Sequence, residues 1–564
     1  RNFMQFSTYK TFLIPLLGLN ILILSLIVYN PITNEEYKLE NVYFSEDSLS
    51  LGGSIVSPFE IDGNAEWVII NNTYSWCTGS GTKTDPFIIK NITIDATISS
   101  SCIHILNSDV FFKIKNCTFK NAGLLDYAGV KITHTSNGTI EENLFIDNRR
   151  VAIDIFESEN ITISDNTIKC INTRDSDLDM GIYCIDSIYC KIKNNILFNV
   201  KQGITNAGHS NKCINNIIHI KTVQNPSQSP YGILISDQNQ EIRQNKIYNC
   251  GFWISHSNNF MHTYTIDDTN LVNGKPLYFF YNETNLSNSN FSNAGQIILG
   301  YCNDSLISNF NFNSSGNGIS LQNCFNISVK NCSFQECYRG IWMDECHNST
   351  FFNNTLSKSP IVSNSYSMSN FNNITRNYSH QSEIRTKGLR NNISNNILIG
   401  EGINSAGNNN TISNNSINGA TEGLWIQDEY NQVIKNTVLN CKQGIFLYFC
   451  EHSNISLNTL SHCKEGVYLS FSYNNSVKNN KLICVSVLFT EVNSQNNTIE
   501  DNEYYCDENG NSPNDDDENS ESENDPPEYI FAYHHIFLYL FIGTGILSII
   551  VFKHLKKTKI ESIK

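Results

Sequence analysis

Charge is what this chain has least of. Only 16% of its 564 residues are charged, proline is limited to 11 and methionine to 5, and alanine is sparse. The shortage of alanine and proline, beside abundant asparagine, isoleucine, serine and phenylalanine, argues against helical bundles. It favours short strands joined by tight turns. Basic charge is also lacking: 38 Lys and Arg stand against 54 Asp and Glu, a net charge of −16, which excludes nucleic acid as a partner. Much of that excess is local. Residues 507–528 hold ten carboxylates and no Lys or Arg, a composition that reads as a solvated, self-repelling, disordered linker.

Two uncharged apolar runs, 11–29 and 529–552, each come close to the ~20 residues needed to cross a bilayer as a helix. Lys10 precedes the first and Glu35, Glu36 and Glu40 follow it, whereas Lys553, Lys556, Lys557 and Lys559 follow the second. Both flanks fit the positive-inside rule with the body outside. A cleaved signal peptide is the rival for 11–29; the lack of an A-x-A-like site near Val28–Thr33 favours an uncleaved anchor. The expected order is a cytoplasmic segment 1–10, a span 11–29, a stalk and N-terminal cap 30–78, a repeat body 79–506, the acidic linker, a span 529–552, and a basic cytoplasmic tail 553–564. The expected location is the cell membrane, with the body extracytoplasmic and both termini cytoplasmic.

The body repeats itself. A Gly followed by an apolar residue recurs at Gly402, Gly423, Gly444 and Gly466, in steps of 21 or 22. An Asn-x-apolar mark recurs at Asn415, Asn436, Asn458, Asn480 and Asn502 with the same period. Leucine-rich repeats need a dense leucine pattern that this chain lacks. Runs such as GIFLYF, GVYLSF and NITISDNTI alternate like strands. Three short strands and three turns fill one such period, so each copy reads as one coil of a right-handed parallel β-helix, an all-β solenoid flanked by two transmembrane helices. Gly+1 and Gly+3 (Leu424 and Ile426, Ile445 and Leu447, Val467 and Leu469) point inward. The repeated Asn is expected at a turn, where asparagine tolerates positive φ and its amide can stack on the next coil. Gly is expected to serve the other turn.

Residues 254–300 interrupt the period. Their IDDTNLVNGKPLYFFYNETN, the SNAGQIILGYCNDSLISN that follows, GSGTKTDPFIIKNITIDA at 79–96 and the repeated NN-x-[IF] turns resemble NosD-like and related archaeal surface β-helix proteins of the pectin-lyase-like fold. The resemblance spans about residues 55–505. It implies the fold firmly and an activity hardly at all. NosD-like proteins are linked to copper delivery, but five Met and thirteen scattered His without paired spacing do not match copper chemistry.

Candidate sites follow from the coil offsets. Gly+2, an outward position, carries Trp253, Trp342, Trp425, Phe446 and Tyr468, an expected exposed aromatic strip for extended polysaccharide or a neighbouring surface protein. Aromatics that merely suit strands are the plainer reading. Asp175, Asp177 and Asp179, with Asp186 further on, resemble a calcium loop, although the Gly is displaced and no helices flank it. Otherwise no cofactor is expected. Cys324 with Cys346, and Cys441 with Cys463, share offsets on adjacent coils and are candidate disulfides, with buried thiol stacking as the alternative. Many N-x-[ST] sequons fit an outside location, but the repeat writes this pattern by itself.

No catalytic residue is assigned. The Gly+5 column shows no carboxylates on consecutive coils, and Arg149–Arg150 beside Asp147 and Asp154 is the nearest mixed cluster. The expected function is a structural, adhesive or carbohydrate-binding module of the cell envelope, leaning away from an enzyme. A polysaccharide-active lyase or hydrolase is the first alternative and a NosD-like metal-maturation accessory the second.

Overall fold

A computed structural model of the chain describes residues 53–171, 177–221, 229–255 and 260–505. The expected spans 11–29 and 529–552, the cytoplasmic ends, the acidic linker and the first part of the stalk lie outside them. Among the described residues no helix is long and apolar enough to cross a membrane. The chain divides into two compact units. One runs to Ser349 and includes Leu356–Val362; the other comprises Thr350–Thr355 and the chain from Ser363 onward.

Each unit is a parallel β-solenoid in which a coil adds one strand to each of three sheets. In the first unit the strands Ala128–Thr133, Gly138–Glu141 and Leu144–Ile146 make one coil; Val151–Phe156, Thr162–Ser164 and Thr167–Lys169 make the next. Pairing is parallel and in register, Ile140 with Ile163 and Phe145 with Ile168. Isoleucine alternation causes this: Ile140, Ile163, Ile192 and Ile242 face inward and are fully buried, and burying each such side chain contributes about 1.5–3 kcal/mol. The second unit repeats the plan, with Glu422–Glu429, Gln432–Ile434 and Thr437–Leu439 as one coil.

At the start of the first unit a helix, α1 (Asn64–Thr73), buries Trp67. Its indole lies 5.4 Å from the Phe87 ring and 5.1 Å from Phe112, and its N–H donates to Ser108 Oγ at 3.1 Å. The interruption near 254–300 contains an antiparallel hairpin, Leu271–Val272 with Lys275–Tyr281. Its second strand then rejoins parallel pairing with Gln296–Gly300.

Asparagine acts differently from the simplest expectation. The repeated Asn does stack, but positive φ belongs to the residue before it: Asn414, Lys435, Leu457 and Asn479 precede Asn415, Asn436, Asn458 and Asn480. The stacked amide is buried and bridges coils on both sides. Asn436 Nδ2 donates to the Ile412 carbonyl at 2.8 Å and to Asn458 Oδ1 at 3.0 Å. Asn436 Oδ1 accepts from Asn415 Nδ2 at 2.9 Å and from the Asn415 N–H at 3.0 Å. A matching column runs through Asn143, Asn166, Asn195 and Asn216 in the first unit.

The repeated Gly does not turn the chain either. Gly423 lies within a strand, where a Cβ would come within 2.4 Å of Val438 Cγ1 and 2.6 Å of the Gly444 carbonyl. Close approach, not left-handed backbone, requires glycine there.

Coil length varies at one corner of the first unit. Long stretches of chain precede Ala128–Thr133, Met180–Ile185 and Tyr231–Ser236, three strands of the same sheet.

Asn436→Ala removes these bonds and strands the Asn415 donors. It should lower unfolding free energy by about 3 kcal/mol, given ~1–3 kcal/mol for each buried polar group left unpaired. Asn392→Ala, which removes an outward amide bonded to Asn373 Oδ1 at 2.9 Å, should cost about 1 kcal/mol or less. Urea unfolding of the two variants measures the difference.

Candidate functional site

Alternation along each strand sends every second side chain outward, and in-register stacking lines equal positions into columns. In the second unit Asn404, Trp425, Phe446, Tyr468 and Thr490 form one such column. The Trp425 and Phe446 rings are 5.3 Å apart, and Phe446 and Tyr468 are 5.1 Å apart. Tyr448 joins them, 6.1 Å from Trp425 and 5.8 Å from Phe446. Beside it Phe449 and Phe471 stack 5.0 Å apart and are 52% and 37% exposed. Polar groups border the rings: Gln443 donates to Glu465 Oε2 at 2.6 Å.

The expected single exposed strip is therefore corrected. Phe446 is only 6% exposed and Trp342 only 4%. Rings on coils about 4.8 Å apart lean over one another, so a central ring is covered by its neighbours. Trp425, Phe446 and Tyr468 cluster in the second unit. Trp253 and Trp342 belong to the first, where the Arg339 guanidinium lies 4.8 Å from the Trp253 ring and 3.9 Å from the Trp342 ring. Tyr448, Phe449 and Phe471 were not anticipated as partners of the cluster. A register shift beside Tyr448 brings them together, and Gly offsets alone do not reveal it.

The outward column of the first unit runs Glu60, His104, Lys131, Asp154, Tyr183, Thr205, Leu234, Trp253. His104 Nδ1 lies 2.9 Å from Glu60 Oε2. Arg150 Nη1 bonds Asp154 Oδ2 at 2.8 Å and lies 3.8 Å from Asp126 Oδ1. Lys131 Nζ pairs with the Asp126 carboxylate and also reaches the Asp126 carbonyl at 3.1 Å. The Arg150 guanidinium sits 5.8 Å above the Tyr183 ring. Burial pushes the Asp154 carboxyl above its ordinary value, with Arg150 opposing the rise. Burial likewise raises the Tyr183 phenol, and it takes Tyr231 up to about 12. The structure separates the Arg149–Arg150 pair: Arg150 faces this column, while Arg149 turns to buried Asp177 at 2.8 Å.

That ion pair corrects the calcium loop. Asp177 is taken by Arg149, and Asp179 by buried Lys201 at 3.3 Å. Burial raises Asp179 to about 6 despite Lys201. Asp175 lies outside the described residues. Asp186 lines a groove of about 620 Å³ at the sheet's other edge, with Asp109, His134, Glu157 and Glu159. Cations already neutralise Asp177 and Asp179, and Asp186 faces a different groove, so these three aspartates do not converge. Among the described residues no group of three or more His, Cys, Asp and Glu side chains is arranged to hold a metal ion.

The groove also overturns the reading of the Gly+5 column. Phe156 pairs with Ile185, so the residues that follow, Glu157 and Asp186, are carboxylates on consecutive coils. Ala152 stands in the Gly place of that coil and hid the match.

The candidate disulfides are corrected as well: Cys324, Cys346, Cys441 and Cys463 are buried thiols. Cys324 Sγ donates to the Leu299 and Gln322 carbonyls at 3.4 Å, and Cys346 Sγ to Ser349 Oγ at 3.3 Å. Cys441 Sγ donates to the Leu439 carbonyl at 3.2 Å and Cys463 Sγ to the Ser461 carbonyl at 3.6 Å. In-register stacking holds Cβ atoms about 4.8 Å apart, beyond the ~3.5–4.5 Å of a disulfide. Burial takes the Cys346 thiol up to about 12.

Comparison with known proteins follows the same outline. The model of a right-handed beta helix region matches residues 57–219 and 231–379, more than half of the chain. The model of the periplasmic copper-binding protein NosD matches residues 387–525. No curated protein matches. Among solved structures, a periplasmic alginate epimerase is 10% identical, covering 80% of this chain and 84% of its own, with a TM-score of 0.21. A PL6 alginate lyase bound to a trisaccharide is 12% identical over 81% and 85%, with a TM-score of 0.23. A PL6 lyase from Pseudopedobacter saltans is 10% identical over 83% and 97%, with a TM-score of 0.19. Likenesses this distant carry nothing about chemistry. The described residues of the NosD-like portion do not fit copper: His452 stacks on Tyr430 at 5.2 Å, His462 Nδ1 is 2.8 Å from Ser461 Oγ, and Cys441 and Cys463 are buried against carbonyls.

Alkylation of the denatured, unreduced protein followed by peptide mapping should label Cys324, Cys346, Cys441 and Cys463, while the native protein protects all four. A disulfide-linked peptide would contradict the structure.

Proposed function

Because this chain belongs to the right-handed β-helix family, we propose that it is an extracytoplasmic module that binds glycan at the surface of a cell envelope, anchored in the membrane through the apolar segments 11–29 and 529–552. The NosD-like match, to a family described as periplasmic, supports an extracytoplasmic body. The charge asymmetry around the two apolar segments supports the anchoring.

The observation that carries glycan binding is the cluster around Phe446. Trp425, Tyr448 and Tyr468 rise around a buried ring, with Gln443 and Glu465 alongside. Half-buried rings next to hydrogen-bonding amides and carboxylates suit a sugar, whose C–H face packs on aromatics while its hydroxyls need polar partners. The sheet's main chain is already paired to the coils on both sides, so an added peptide strand finds no backbone partner on this face.

A polysaccharide-active enzyme is the second reading, and one observation favours it: Glu157 and Asp186 on consecutive coils of the acidic groove. Hydrolysis needs an acid and a base across one bond. Here Glu157 is held by His134, and both carboxylates sit on exposed turns. On the neighbouring sheet face Asp154 meets Lys131 and Tyr183 on its flanking coils, not a second acid. Binding without turnover accords better with these pairings. Copper maturation draws no support from the described residues.

On a glycan array, Trp425→Ser with Tyr468→Ser should weaken binding of the retained glycans at least tenfold, with circular dichroism unchanged. Two rings at ~0.5–1.5 kcal/mol each beyond their buried area set that scale. Retention unaffected by the pair of substitutions would defeat the proposal. Reducing-end release from any bound polysaccharide, abolished by Glu157→Gln, would replace it with the enzyme reading.

A further inference from the structure

A second site lies in the other unit, where one exposed carboxylate satisfies two cations. Asp126 stands on the connection between Thr118–Lys120 and Ala128–Thr133, its side chain 77% exposed. Its two oxygens reach Lys131 Nζ and Arg150 Nη1. Lys131 lies in the strand Ala128–Thr133 and Arg150 immediately precedes the strand Val151–Phe156, with side chains only 14% and 19% exposed. Arg150 is oriented from behind by Asp154, which is itself nearly buried. Lys131, Arg150 and Asp154 together carry one net positive charge, which one carboxylate balances.

We infer that Lys131 and Arg150 form a subsite for the carboxylate of an acidic sugar, a uronate within a polysaccharide, and that Asp126 fills this subsite as an internal stand-in until ligand displaces it. The proposal rests on the glycan-binding reading for the class of polymer, not for the location. The Lys131 bond and the Arg150 attraction that now hold a loop-borne, solvent-exposed anion are open to an incoming carboxylate. Displacing Asp126 costs little, since the incoming carboxylate keeps the two cations paired and the 77% exposed Asp126 side chain turns to water. The Tyr183 ring beneath Arg150, followed along the column by half-buried Leu234 and Trp253, offers an apolar surface to the rest of the sugar chain. An acidic peptide could supply a carboxylate but would find no unpaired strand here to lie against.

The test uses the full chain with three probes: oligogalacturonate for the acidic sugar, cellohexaose for a neutral one and poly-glutamate for an acidic peptide. Asp126→Asn should tighten oligogalacturonate binding about threefold or more, and Lys131→Met should weaken it at least tenfold. Raised salt should weaken binding in both wild type and Asp126→Asn. Cellohexaose binding should respond to neither substitution. Oligogalacturonate affinity unchanged or reduced in Asp126→Asn overturns the proposal, as does an equal gain for poly-glutamate or cellohexaose. Asp126 is exposed, so its variant folds even where Lys131→Met does not. The Trp425→Ser, Tyr468→Ser protein separates the two ideas. Loss of neutral glycan there with a preserved Asp126→Asn gain keeps both, whereas retention of neutral glycan with that gain defeats only the aromatic site.

Discussion

The constraint on which this fold depends is satisfaction of buried polar groups where each coil turns. A helix closes its own hydrogen bonds within four residues. Here the partners of nearly every strand lie on other coils, and at the asparagine corner the Asn436 N–H leaves the ladder and donates to the Asn458 amide oxygen while the chain stays buried. The asparagine amide resolves the conflict because it carries donors and an acceptor on one planar group. Asn436 Nδ2 reaches back to Ile412 and forward to Asn458, while its oxygen accepts from Asn415. Repeated coil upon coil, this column also sets register. A slip of one residue would break the amide bonds and send the inward isoleucines to the surface at the same time.

The same stacking governs what the interior tolerates. Positions repeat about every 4.8 Å, so each inward side chain is judged against a near copy of itself. Isoleucine and valine suit this; a Cβ at Gly423 does not, because the next coil's carbonyl is already in contact range. Cysteine fits as a small residue whose thiol finds a carbonyl, as Cys324 and Cys441 do. Glycine and cysteine are thus answers to spacing, not hinges or cross-links.

Outward side chains escape these demands, and that is where chemistry collects. One coil may carry a ring, an acid or a base without disturbing the column inside. Lys131, Asp154 and Tyr183 occupy equivalent places on successive coils, as do Trp425, Phe446 and Tyr468. The corner connections add what a strand cannot: Asp126 reaches over the sheet from one of them. The electrostatics of the face therefore combine a rigid array with a displaceable group.

The period, the alternation and the stacking of asparagines were legible in the sequence, because each is a local pattern that recurs: Asn415, Asn436 and Asn458, or Leu424 and Ile426. The right-handed parallel β-helix follows from them. Side-chain partnership was not legible. Offsets placed Trp342 and Phe446 outward but could not say that Arg339 and Tyr448 cover them, since lateral packing joins residues of unrelated spacing. Ala152 concealed the adjacency of Glu157 and Asp186. The aspartates near 177 looked like a cation site because their counter-charges, Arg149 and Lys201, are distant along the chain. Sequence alone determined the repeating backbone, where every copy states the same hydrogen-bonding need. Only the tertiary structure decided which charges meet, because opposite charges and stacked rings find each other across coils and corners that no period records.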